Sequence, residues 1–269
     1  MLVLSQSLRF QKLLLTIDIG NSNIVLGLFQ KKVLMGEWRI SSQPYRTVDE
    51  YAILMEDLFS LKKILPDEID RVILSSVVPP LTPVFKEISE KYFHADPMVV
   101  TDQLKLGLSF RYENPGEIGA DRIVNAVAGF QLYGGPLILV DFGTATTFCS
   151  ISKKGEYRGG VIAPGLQISA EALFLRAAKL PRIELVKPEK VIGKDTITSM
   201  QSGIVLGYVG LVEKLIEKIK KETREKAMVI ATGGLAGLIA PETPSIDRVN
   251  PNLTLEGLRI ISELNKKSH

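Results

Sequence analysis

The sequence predicts two similar α/β domains within one chain of 269 residues, on three observations. An apolar run ending in an Asp-x-Gly turn occurs twice, as Leu13–Ile17 before Asp18-Ile19-Gly20 and as Leu137–Val140 before Asp141-Phe142-Gly143. Each occurrence opens a set of three strands that is followed by alternating helices and strands, the pattern of an α/β layer. The chain is 45% hydrophobic, enough to fill two cores of about 130 residues each.

The repeat extends beyond the turns. At an offset of 123 residues (141 − 18), Gly20 meets Gly143, Lys31 meets Lys154 and Gly36 meets Gly159. Apolar residues also coincide, Leu14 with Leu137, Ile17 with Val140 and Leu28 with Ile151. An ungapped match through strand, turn and strand points to internal duplication, with domains at 1–134 and 135–269. A hairpin turn is the plain alternative for either Asp-x-Gly segment taken alone.

The first half reads as strands over 13–19, 24–29 and 33–40, then a helix to about Leu65 behind the capping pair Thr47 and Glu50. A strand follows over 71–78, and a helix with Pro83 in its first turn. Met98–Thr101 is a short strand, and 118–133 a helix closed by Gly134-Gly135. The second half gives strands over 137–142, 147–152 and 156–163, helices near 166–178 and 198–225, a strand over 227–232 and a last helix over 255–265. Residues 179–197, rich in Pro and Lys, read as an insertion without periodicity.

A formal charge of +3 with no basic stripe between aromatics argues against nucleic acid. The basic run Lys218–Lys226 closes a helical pattern, where cations complement the helix dipole. The single cysteine, Cys149, excludes an internal disulfide and reads as a buried small hydrophobe. His94 and His269, the only histidines, cannot build a histidine-rich metal site. No apolar run approaches the roughly 18 residues of a membrane span, and the opening "MLVLSQSLRFQK" is a poor signal peptide. The expected location is the cytoplasm.

Glycine lets the backbone approach phosphate oxygens, and successive N–H groups with Asn, Ser or Thr side chains donate to them. A carboxylate at the strand end can hold a cation or its water shell beside the phosphates, as magnesium prefers. Two such turns suit a clamp on a nucleotide triphosphate. Thr232-Gly233-Gly234 follows a strand, where flat backbone could pack against a base or ribose; strand-Gly-Gly-helix is also an ordinary connection.

Together these residues resemble the superfamily of acetate and sugar kinases, heat-shock ATPases and actin, and within it the type III pantothenate kinases. The resemblance rests on Asp18-Ile19-Gly20-Asn21-Ser22, Asn114-Pro115 with Gly119-Ala120-Asp121-Arg122, Asp141–Thr147, Gly160–Gly165 and Gly193-Lys194-Asp195-Thr196. These occur in the family's order over residues 13 to about 257, with Ser22 standing where the family has Thr and residues 1–12 as an extension. The resemblance implies two duplicated ribonuclease H-like domains, each a mixed five-stranded sheet with flanking helices, around an ATP cleft. It implies phosphorylation of pantothenate by ATP with Mg2+ at the start of coenzyme A synthesis, a K+ or NH4+ requirement and a homodimer.

Carried over by residue, the resemblance implies that Asp18, Ile19, Gly20, Asn21, Ser22, Asn23, Ile24, Val25 and Thr144 contact ATP. Tyr112, Gly119, Ala120, Asp121, Arg122 and Thr196 would contact pantothenate, Asp121 would be the proton acceptor, and Asp141 would hold the monovalent cation. On chemistry alone, Asp121 could instead cap its helix, Arg122 could pair with it or with a substrate carboxylate, and Asp141 could orient magnesium as Asp18 does. A nucleotide-binding regulatory protein of the same fold, or a kinase for another small alcohol, are the alternative functions.

Overall fold

The computed structural model describes residues 12–266; most of the 1–12 extension, and His269, lie outside the described residues. The chain forms two compact units, one of residues 1–106, 116–128 and 254–269, the other of residues 107–115 and 129–253. They are not the contiguous halves 1–134 and 135–269: the C-terminal helix joins the first unit, and residues 107–115 join the second.

The first unit holds β1 (Leu13–Ile19), β2 (Asn23–Gln30), β3 (Val33–Ser41), α1 (Val48–Ser60), β4 (Ile69–Ser76), α2 (Leu81–Phe93) and β5 (Met98–Val99). Its sheet runs β3-β2-β1-β4-β5, antiparallel from β1 to β3 and parallel from β1 to β5. The odd-numbered apolar residues of β1 (Leu13, Leu15, Ile17, Ile19) share a core with Tyr51, Met55 and Phe59 of α1 and Phe85 and Ile88 of α2. The reciprocal Thr47–Glu50 cap forms as expected. The helix nevertheless stops at Ser60, short of Leu65, because Lys63 takes a left-handed turn conformation at φ 59°.

The second unit holds β6 (Ser109–Phe110), the last turn of α3 (Ala120–Tyr133), whose start belongs to the first unit, β7 (Leu137–Phe142), β8 (Ala145–Ile151), β9 (Glu156–Pro164), α4 (Leu166–Arg176), α5 (Thr196–Thr223), β10 (Met228–Thr232), α6 (Ala236–Ile239) and β11 (Arg248–Val249). Helix α7 (Leu253–Leu264) closes the chain. The sheet order, β11-β10-β7-β8-β9-β6, repeats the first sheet and adds β6 as a sixth strand beside β9. Two mixed sheets of this order are the duplicated ribonuclease H-like arrangement. Ile138, Val140 and Phe142 pack with Val205, Val209, Val212 and Ile216 of α5. Cys149 is buried with its sulfur 3.4 Å from the Tyr157 hydroxyl. No helix among the described residues is long and apolar enough to cross a membrane.

Strand register corrects the ungapped repeat. Asp18 pairs with Val25 across the first hairpin and Asp141 with Thr147 across the second, so the second turn is one residue shorter. The next turn is one residue longer and restores the offset: Leu28 opposite Gly36 corresponds to Ser150 opposite Gly159, not to Ile151. A β-bulge follows Leu28 in one hairpin and Ser150 in the other. Even the irregularity is duplicated.

Candidate active site

In the first unit, the parallel pairing of β1 with β4 sets Asp18 opposite Ser75, whose hydroxyl donates to Asp18 Oδ1. Burial pushes the Asp18 carboxyl up to about 6; the charge of Asp121 pushes the same way, while Ser75 and Arg39 pull it down. Two carboxylates thus share one neighbourhood, and the charge of Asp121 disfavours ionisation of Asp18. Asp121 sits in the first turn of α3, where its Oδ1 accepts the Arg122 backbone N–H at 2.8 Å. Burial raises its pKa as well, against the lowering effect of that N–H and of the Arg122 charge. Asp121 is thus the second residue inside the helix rather than its cap, and its side chain is both anchored to the adjacent N–H and desolvated. A Cβ on Gly119 would stand 2.5 Å from Asp121 Oδ1, so only glycine lets the carboxylate fold back over the turn.

The turn after β1 is tied down from two sides. Gly20 N–H donates to Asn23 O at 3.0 Å, and Ser42 N–H donates to Ser22 O at 3.1 Å while its hydroxyl reaches Gly20 O. Asn21, Ser22 and Asn23 are exposed, whereas Ile19 and Ile24 are fully buried and can meet a ligand only through backbone. Neither Gly20 nor Gly143 has a positive φ. What glycine provides at these positions is the missing side chain, not left-handed backbone. Ala120 is half-buried beside Gly119, and Arg122 is buried with a partner inside the protein.

In the second unit, β7 and β10 set Asp141 opposite Thr232, the counterpart of Asp18 opposite Ser75. Gly233, at φ +91°, passes so close that a Cβ there would stand 2.5 Å from Asp141 Oδ1 and 2.7 Å from the Phe142 backbone. The contact of Gly233 is with the acidic turn, where the sequence suggested a base or ribose. Thr144 O accepts the Gly165 N–H at 3.2 Å, pinning the turn to the start of α4. Tyr208 of α5 closes the same region: Thr146 donates to the Tyr208 oxygen (2.6 Å), and the tyrosine donates to Pro164 O (2.8 Å). Tyr112 stands edge-on to Tyr157, ring centroids 6.2 Å apart, and beside the bare backbone of Gly159. Thr196 opens α5 behind the Asp195 cap and lines a depression of about 750 Å³ with Leu173, Leu180, Lys194, Met200 and Ile204.

A model of the type III pantothenate kinase family matches residues 14–218. The chain belongs to the type III pantothenate kinases. A type III pantothenate kinase of Geobacter sp. (strain M21) is 54% identical over 254 residues, covering 94% of this chain and 100% of the relative. That of Geobacter sulfurreducens is 54% identical over 255 residues, 95% of this chain and 100% of its own. Among solved structures, component A of (R)-2-hydroxyglutaryl-CoA dehydratase from Acidaminococcus fermentans shares the fold, with a TM-score of 0.55 and 12% identity over 95% of this chain and 100% of that one. Against this type III kinase frame, the residues that sequence reasoning passed over are Ser42, Ser75, Arg39 and Tyr208. Ser42, Ser75 and Tyr208 bond to partners distant in the chain, and Arg39 reaches Asp18 only through its charge, so no local motif marks them.

Proposed function

We propose that this chain transfers the γ-phosphoryl group of ATP to the primary hydroxyl of pantothenate, giving 4'-phosphopantothenate and ADP. The observation that supports this most is the neighbouring carboxylate pair, Asp18 at a strand end and Asp121 at a helix start, within a chain of this kinase family. As the hydroxyl oxygen attacks the γ-phosphorus and the bond to ADP breaks, Asp121 takes the hydroxyl proton. Burial raises its proton affinity and so suits it to that task. Tyr112, Gly119, Ala120, Arg122 and Thr196 contact pantothenate; residues 18–25 and Thr144 contact ATP.

The residues fit a magnesium ion carried by ATP. No group of three or more His, Cys, Asp or Glu side chains among the described residues could hold a metal, so phosphate and water must supply most ligands, as Mg2+ prefers. Asp18 would orient that shell, and the ion would supply charge neutralisation at the phosphates. Asp141, beside the backbone of Gly143 and Gly233, would hold a weakly hydrated K+ or NH4+. The enzyme works in the cytoplasm as a homodimer. Gly203, Gly207 and Gly210 lie along one exposed stripe of α5 with no atom within 4 Å of a built Cβ, a face open to close helix approach. A monomer mass by light scattering at micromolar concentration would contradict the dimer.

The function is tested by ADP release against pantothenate and a panel of small hydroxy acids, each in potassium and in sodium buffer with excess magnesium. Pantothenate should give the highest kcat/KM, and sodium should lower it. Turnover with none of the panel would remove the kinase assignment; full activity in sodium would remove the monovalent site at Asp141.

A further inference from the structure

Asp18 of β1 lies opposite Val25 of β2, Val25 lies opposite Arg39 of β3, and on the other side Asp18 lies opposite Ser75 of β4. Directly paired residues point to the same face of a sheet, so Arg39, Val25, Asp18 and Ser75 form one transverse row. The row crosses the sheet where β1, β3 and β4 end and β2 begins, the end that carries the 20–23 turn. Two strand spacings separate the Arg39 and Asp18 backbones, about 10 Å, a span that an arginine side chain covers largely by itself.

Arg39 is exposed, and among the described residues its guanidinium closes no hydrogen bond or ion pair. The Asp18 carboxyl nevertheless senses its charge, and also that of Asp121. Two neighbouring carboxylates repel a polyphosphate, and a single magnesium ion offsets only part of that repulsion. A guanidinium on the same row, unpaired among the described residues, supplies the missing positive charge, with donors spaced to take two phosphate oxygens at once.

We propose that Arg39 is a phosphate-binding residue of this site, its guanidinium taking the terminal phosphate oxygens of the nucleotide on the Asp18 face of the first sheet. The proposal rests on the kinase reading only for the nucleotide being ATP. Val25 has no polar side chain, so within the row no side chain between Arg39 and Asp18 competes for the guanidinium. Ser42, three residues on, ties the same strand end to the Gly20 carbonyl, which holds Arg39 at a constant position relative to the turn.

The test is calorimetric binding of MgATP and of adenosine to wild type, Arg39→Ala and Arg39→Lys, without pantothenate. Arg39→Ala is expected to weaken MgATP binding by about 10–100-fold, the usual loss for a charge-assisted hydrogen bond, with adenosine binding unchanged. Arg39→Lys should recover part of the loss, because it restores charge without the fork. The thermal midpoint should not move, since the side chain is exposed and, among the described residues, unpaired. Equal MgATP affinity in wild type and Arg39→Ala would overturn the phosphate role, as would an equal loss for adenosine, which carries no phosphate. Wild type that binds no MgATP at all would overturn the kinase reading together with this one.

Discussion

Replacing Asp121 with Asn is expected to lower turnover by roughly 10²–10⁴-fold, the range for a group that accepts a proton in the transition state. MgATP affinity should stay nearly unchanged. The substitution is close to isosteric: the amide oxygen still accepts the Arg122 N–H that anchors the side chain in the first turn of α3. The fold should therefore survive, and the loss should fall on kcat. A helix cap alone would behave differently, costing on the order of 1 kcal/mol of stability and leaving the chemistry intact. Steady-state kinetics with thermal unfolding on the same sample separates the two, and near-normal kcat would reassign Asp121 to a structural role.

The second large effect has opposite signs for binding and stability. Asp18→Asn should abolish productive MgATP binding, because the shell-orienting charge is gone. The same change should stabilise the nucleotide-free protein near neutral pH. The Asp18 carboxyl has a folded value of about 6 against 3.8 in the unfolded chain. Its protonated form therefore contributes stability that is complete below about pH 4 and is lost as pH rises through 6. At pH 7.5 the ionised group costs about 3 kcal/mol by that difference, which the neutral amide avoids while still accepting from Ser75. A gain of about 1–3 kcal/mol in Asp18→Asn, several degrees in the thermal midpoint, should shrink as the buffer is lowered from pH 7.5 to 4.5. A pH-independent difference would place the Asp18 carboxylate in water rather than in a desolvated site. Sites that trade stability for function in this way are common.

Much of this site is legible locally. Asp18 and Asp141 stand out because Asp and Gly end apolar runs that could have continued as strand, and Thr47 and Glu50 announce α1 by their spacing alone. The partners of those residues are not legible. Ser75 meets Asp18 only because β1 and β4 pair in one parallel register, and Arg39 joins the row only through β2; single-sequence periodicity carries no register between strands. The one-residue gap between the hairpins was hidden because the next turn restores it. Strand β6 is two residues long, too short for any alternation to show. Helix α7 shows its apolar face in the sequence, but not that Leu255 would reach Gly27 of the first sheet and so join the first unit.

The most direct measurement is identification of the product. Purified protein with ATP, magnesium, potassium and pantothenate, followed by phosphorus NMR and mass spectrometry, should yield one phosphorylated pantothenate per ADP, with the phosphate on the primary hydroxyl. Asp121→Asn treated identically should form the same product far more slowly. ADP with no phosphorylated pantothenate, or no consumption of ATP at all, would contradict the assignment of this chain as a pantothenate kinase.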